Sequence, residues 1–193
     1  MSIALETEHL DKRFGGIIAA NDVSLKVAKG ARHALIGPNG AGKTTLVNLL
    51  TGVERPTAGR IRLDGRDITE LKPHERVRLG IVRTFQINQL FADLTPLETV
   101  GVAISERLGT GRDWWRLAGS KKGVMEEVME LIERFHLADV ISERTAILPY
   151  GKQRLLEIAL AFACRPRVLL LDEPAAGVPE AERHEILATV ASL

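Results

Sequence analysis

Apolar and polar positions alternate near the start of the chain, then change to a helical rhythm in the middle. Ile3 and Leu5, followed by His9 and Leu10, fit a half-buried strand over residues 3–10. Val23, Leu25 and Val27 alternate more cleanly and end at the turn signal Lys29-Gly30. Residues 31–36 read as a short apolar strand running into Gly37. Residues 43–50 are helix-like and stop at Gly52, a suitable C-terminal cap. Ile61 and Leu63 predict another short strand ahead of the hairpin dipeptide Asp64-Gly65. The β structure before residue 70 is therefore expected to be partly antiparallel.

Val124, Val128, Leu131, Ile132 and Phe135 recur along one face of an amphipathic helix, with Glu and Arg on the other. The Gly- and charge-rich stretch before it, which includes Trp114 and Trp115, reads as a connection. That aromatic pair suits either a partner-binding patch or packing under a helical lobe. Residues 154–164 are helix-like and end at Pro166. Val168, Leu169, Leu170 and Leu171 form an unbroken apolar run before Asp172, the pattern of a strand buried on both faces of a parallel sheet. Arg76, Arg78 and Arg83 read as a solvated face. The order is mixed β, a helical insert, then a buried strand, which an α/β core with an inserted helical lobe accounts for.

Composition narrows the picture only slightly. The 193 residues hold 45% apolar and 26% charged positions, ordinary for a soluble globular protein, and suffice for one sizeable core. A net charge of +1 without a basic stripe argues against nucleic acid as the main partner. Cys164 is the single cysteine, so no internal disulfide forms, and its apolar surroundings suit a small buried hydrophobe. The N-terminus lacks the pattern of a signal peptide, and no apolar run approaches the roughly 20 residues needed to cross a bilayer.

The clearest chemistry lies in GPNGAGKTT: Gly37, Pro38, Asn39, Gly40, Ala41, Gly42, Lys43, Thr44 and Thr45. It satisfies G-x-x-x-x-G-K-[ST] between a predicted strand and a predicted helix. Glycines let backbone N–H groups turn inward around phosphate oxygens, and the helix adds its positive end. Lys43 would reach the β and γ phosphates of ATP, Thr44 would ligate Mg²⁺, and Thr45 would contact the α phosphate. The second motif is VLLLDEP, residues 168–174, which delivers Asp172 and Glu173 to a strand end where α/β sheets hold ligands. Asp172 would hold the Mg²⁺ water shell, and Glu173 would act as general base on the attacking water.

The third motif, LPYGKQRLLEIALA from Leu148, carries a family resemblance. Leu148, Pro149, Tyr150, Gly151 and Lys152 stand where an ABC-type ATPase has its diagnostic LSGGQ segment. FGGIIAANDVSL, IGPNGAGKTTLVNLLTG, RTFQINQLF and LLLDEPAAG resemble the ATPase subunits of branched-chain amino acid importers. The resemblance implies a P-loop NTPase core of mixed sheet with an antiparallel β subdomain, over residues 1–86 and 160–193. It implies an inserted helical subdomain over residues 87–159. Phe14 matches the aromatic that stacks on adenine. Gln86 matches the glutamine that contacts the metal or the water and faces the transmembrane partner. Tyr150 and Gly151 would offer backbone amides to a nucleotide held by an opposite subunit.

Three departures from the family pattern stand out. Pro149 replaces the serine whose hydroxyl touches the γ phosphate, which weakens that contact, while Lys152 replaces a glutamine and adds a positive charge nearby. The acidic or amide residue that the family uses for contacts across the dimer is absent or shifted near Pro179. The family's final strand and its γ-phosphate histidine lie beyond Leu193, His184 being too early, so the chain looks truncated and hydrolysis by the isolated chain looks impaired. The resemblance further implies a second ATPase subunit, identical or not, and transmembrane permease subunits. A periplasmic binding protein would act indirectly. The location implied is the cytoplasmic face of a bacterial-type membrane, with no nucleic acid. A soluble ABC-type ATPase acting on DNA or ribosomes, and a non-catalytic nucleotide-binding module, are the alternatives.

Overall fold

The computed structural model describes residues 2–84, 90–109 and 122–193. The chain packs as two compact units, Met1–Val82 and Arg83–Leu193.

The first unit is built on a hairpin of two long strands, β1 (Ile3–Phe14) and β2 (Ile17–Ala28). β3 (Ala58–Leu63) and the short β4 (Arg66–Asp67) complete an antiparallel sheet in the order β2-β1-β3-β4. The alternation read in Val23, Leu25 and Val27 thus belongs to a strand that starts six residues earlier. Asp64-Gly65 makes the expected turn, pairing Leu63 with Arg66. Between β2 and β3 lies helix α1 (Lys43–Thr51), closed by Gly52 at φ 79°. Leu46, Leu49 and Leu50 are its buried face.

Residues 31–36 do not form the expected strand. No strand of the first unit pairs with them, and Leu35 and Ile36 are 51% and 89% exposed. A strand needs a neighbouring ladder for its backbone N–H and C=O groups, so apolar alternation alone does not make one.

Helix α2 (Pro73–Leu79) opens with Pro73 at its first turn, and the Glu75 carboxylate accepts the Lys72 N–H at 2.8 Å. Arg76 on this helix is buried, not solvated: 1% of it is exposed. Its guanidinium donates to the carbonyls of Leu49 (2.6 Å), Leu50 (2.9 Å), Leu71 (3.0 Å) and Thr69 (2.7 Å). The cation thereby satisfies carbonyls at the C-terminal end of α1, where the helix dipole favours positive charge. Strand β5 (Ile81–Arg83) follows.

The second unit is mainly helical. α3 (Pro96–Arg107) starts at a capping box, with the Glu98 N–H donating to Thr95 Oγ1 at 3.2 Å and the Thr95 N–H donating to Glu98 at 2.8 Å. α4 (Lys122–Arg134) carries the predicted apolar face. α5 (Tyr150–Ala163) and α6 (Glu180–Ser192) complete the set. The core gathers Val100 and Ile104 of α3, Val128 and Ile132 of α4, and Leu155 and Ile158 of α5. Phe135 packs on Phe162 with ring centroids 5.4 Å apart. Strand β6 (Val168–Leu170) is half-buried, less than its unbroken apolar run predicts, and Cys164 is likewise only half-buried. Among the described residues no helix is long and apolar enough to cross a membrane.

Candidate functional site

In the first unit, residues 37–42 lead into α1 through two left-handed glycines, Gly40 and Gly42, both at φ 82°. Gly42 is the N-cap, and a Cβ there would lie 2.3 Å from the Ala19 carbonyl oxygen of β2. Both the backbone angle and the space therefore demand glycine. Lys43, the first helical residue, turns back over the loop and donates to the carbonyls of Gly37 (2.6 Å) and Pro38 (2.8 Å). The ammonium thus sits over the backbone whose amides the motif assigns to phosphate. Asn39 and Ala41 are exposed on this loop, Thr44 is exposed on the first turn of α1, and Thr45 is half-buried.

Phe14 ends β1 and is 45% exposed, so it is not a core residue. The Lys12 ammonium stands 4.6 Å from its ring centroid and also donates to Glu54 and to the Arg55 carbonyl, both at 2.8 Å. An exposed ring whose face meets a cation is a serviceable stacking platform for a flat heterocycle.

In the second unit, Asp172 follows the strand end of β6. Its Oδ2 accepts from Arg83 Nη2 at 2.6 Å. The expectation that Arg83 lies on a solvated face is thereby overturned: its side chain is 12% exposed and spoken for by a carboxylate. The sequence offered no sign of this, because the two residues are 89 positions apart. A second arginine, Arg154 of α5, reaches the same turn. It donates to the carbonyls of Asp172 (2.8 Å), Glu173 (3.1 Å) and Pro174 (3.0 Å), and pairs with Glu157 at 2.5 Å. Desolvation raises the Glu157 carboxyl above its ordinary value, and the hydrogen bond and charge of Arg154 oppose that. Glu173 itself is exposed with φ 44°, a left-handed backbone rarely taken by residues other than glycine. Three arginine-to-carbonyl hydrogen bonds around it hold the turn in that conformation.

The N-terminus of α5 departs from expectation twice. Pro149 is its N-cap and Tyr150 its first residue. The Gly151 N–H is not open to a ligand, because it donates to Glu182 of α6 at 2.9 Å. Lys152 does not turn its charge to this end either. Its ammonium donates to the His136 carbonyl (2.5 Å) and to Asp139 (3.1 Å). The short lysine-to-carboxylate reach within the unit outcompetes exposure to solvent. Tyr150 Oη lies 3.5 Å from the Ala176 carbonyl oxygen, over Gly177. Pro179 is the N-cap of α6. Gln86, Trp114 and Trp115 lie outside the described residues.

The donors on offer fit Mg²⁺. That ion takes hard oxygen ligands, one or two from protein and the rest from phosphate and water. In the second unit the Asp172 carboxylate is such a donor and already accepts from a cation at 2.6 Å; in the first unit the exposed Thr44 hydroxyl is another.

Residues 20–176 match the ABC transporter family. The chain is 43% identical to the high-affinity branched-chain amino acid transport ATP-binding protein BraF of Pseudomonas aeruginosa, covering 98% of this chain and 76% of that protein. It is 39% identical to the LivG counterpart of Salmonella typhimurium, with the same shares covered. Among solved structures, an ATP-binding cassette of an ABC transporter in its ADP conformation superposes with a TM-score of 0.82 at 32% identity, covering 100% of this chain and 77% of that one. A nucleotide-free cassette gives 0.79 at 31% identity, covering 98% and 76%. With a family match over most of its length and relatives this similar, the protein belongs to the ABC transporter family.

Proposed function

We propose that this chain is the ATP-binding, ATP-hydrolysing subunit of an importer for branched-chain amino acids. The observation that carries the reading is the loop of residues 37–45, in which two left-handed glycines lead into α1 and Lys43 stands over the loop backbone. The similarity to BraF and LivG, named for branched-chain amino acid transport, supports the substrate class.

Mg²⁺ and ATP are the cofactors of this reading. Gly37, Gly40, Gly42 and Lys43 take the phosphates, Thr44 and Asp172 serve the metal and its water shell, and Phe14 stacks on adenine. Thr45 contacts the α phosphate. Glu173 acts as general base, and Gln86 contacts the metal or water, as the sequence resemblance implies. Tyr150, at the start of α5, serves a nucleotide on a second ATPase subunit. The core of residues 1–86 and 160–193, and the helical subdomain of residues 87–159, are the parts between which these roles divide. Transmembrane permease subunits move the amino acid, a periplasmic binding protein delivers it, and the chain works at the cytoplasmic face of the membrane.

Binding of a fluorescent ATP analogue, with and without Lys43→Ala, tests the nucleotide site. Unchanged affinity in the variant overturns it. Reconstitution with the permease subunits and ATP-driven uptake of leucine tests the transport role, and Glu173→Gln is expected to abolish both turnover and uptake.

A further inference from the structure

Three observations converge on Arg83. Its guanidinium holds Asp172 Oδ2 at 2.6 Å, with the two side chains 12% and 24% exposed. The next residue fixes the strand register that brings them together: the Thr84 N–H donates to the Leu170 carbonyl at 3.0 Å. Arg154 then holds the carbonyls of residues 172–174, so the backbone that carries Asp172 is tied down on its other side. With the main chain fixed, the Asp172 side chain is the part left to respond to a ligand. That carboxylate is engaged by the Arg83 guanidinium.

We propose that Arg83 is a positioning residue that holds the Asp172 carboxylate and competes with Mg²⁺ for it. This rests on the reading of Asp172 as a metal-site residue. Mg²⁺ brings two charges and a rigid shell of water, and its approach to Asp172 places those charges beside the guanidinium. The metal must therefore draw the carboxylate from Arg83, and the repulsion weakens its hold.

The test is a titration of Mg²⁺ against binding of a fluorescent ADP analogue to the full chain, which needs no turnover. Arg83→Met is expected to lower the half-saturating Mg²⁺ concentration by about threefold or more, as loss of a close repulsive charge predicts. ADP affinity without Mg²⁺ is expected to stay unchanged. Arg83→Lys, which keeps the charge, is expected to restore the wild-type midpoint. Asp172→Asn separates the two ideas. If it leaves the midpoint where it was, Asp172 is not a metal residue and the underlying reading fails. If it raises the midpoint while Arg83→Met leaves it unchanged or raises it, competition by Arg83 is overturned. Wild-type protein gives a readout independent of folding in the variants. The ¹⁵N guanidinium resonance of Arg83, assigned through Arg83→Lys, is expected to lose its slow exchange when Mg²⁺ and ADP saturate the site. Its persistence at saturation also overturns the proposal.

Discussion

Glu182 of α6 accepts the Gly151 N–H at 2.9 Å, which sets a carboxylate on the positive end of α5. A Cβ on Gly151 would clash with that carboxylate, so glycine here admits a carboxylate from its own chain. Pro149, the N-cap, has no side-chain acceptor to offer the helix. Glu182 supplies it from 31 residues away. Replacing Glu182 with alanine is therefore expected to cost about 1 kcal/mol, as loss of a cap does. Thermal unfolding would register this as a drop of a few degrees, about 2–4 °C for a chain of this size. Glu182→Gln keeps an acceptor oxygen and should recover part of the loss.

Arg76 carries a larger share of stability. Its four carbonyl acceptors lie in α1 and the turn before α2, and Arg76→Met leaves them without their donor. The expected loss is about 3 kcal/mol, set by stranded buried polar groups more than by charge. Urea unfolding measures it. Arg76→Lys should rescue little, because an ammonium cannot reach carbonyls in four directions from one plane.

The Glu157 carboxyl gives a pH dependence with a definite sign. Burial raises it above the ordinary value of about 4.3, against the pull of Arg154. The folded state therefore binds this proton more tightly than the unfolded state. Its contribution to stability is complete below the ordinary glutamate range and is lost as pH rises through the raised value. Glu157→Gln lacks this titration. The stability of the variant relative to wild type should improve as pH climbs from about 4 through that window, read by urea unfolding at a series of pH values. A gap that stays constant with pH would exclude the effect.

Cys164 closes α5 as its C-cap. Desolvation raises its thiol above the ordinary value, and the charge of Arg107 only partly offsets this. Little thiolate forms at neutral pH, so the native thiol should react with a disulfide reagent well below the rate of a free cysteine. Addition of urea should restore the full rate.

What was legible in the sequence followed local spacing. The stop of α1 at Gly52, the hairpin at Asp64-Gly65 and the apolar face of α4 each depend on neighbours within a turn or two, and all stand as read. The start of α3 was also within reach, since Thr95-Pro96-Leu97-Glu98 carries the T-x-x-E capping signature. The arginines were not. Arg76 meets Leu49 across 27 residues and Arg83 meets Asp172 across 89, and no periodicity encodes such meetings. The turn of residues 37–42 into α1 was readable because its glycines and Lys43 fall within a few consecutive positions. The fate of the Gly151 amide was not, because it depends on a helix that folds back from farther along the chain.

The bare segment of residues 31–36 carries a colloidal consequence. It presents two exposed aliphatic side chains, Leu35 and Ile36, in an extended run without a proline. Such an edge recruits the same edge of another molecule. Protein concentration, more than temperature, should therefore decide how long a purified sample stays monodisperse, and a lysine in place of Ile36 should act as a gatekeeper against self-association.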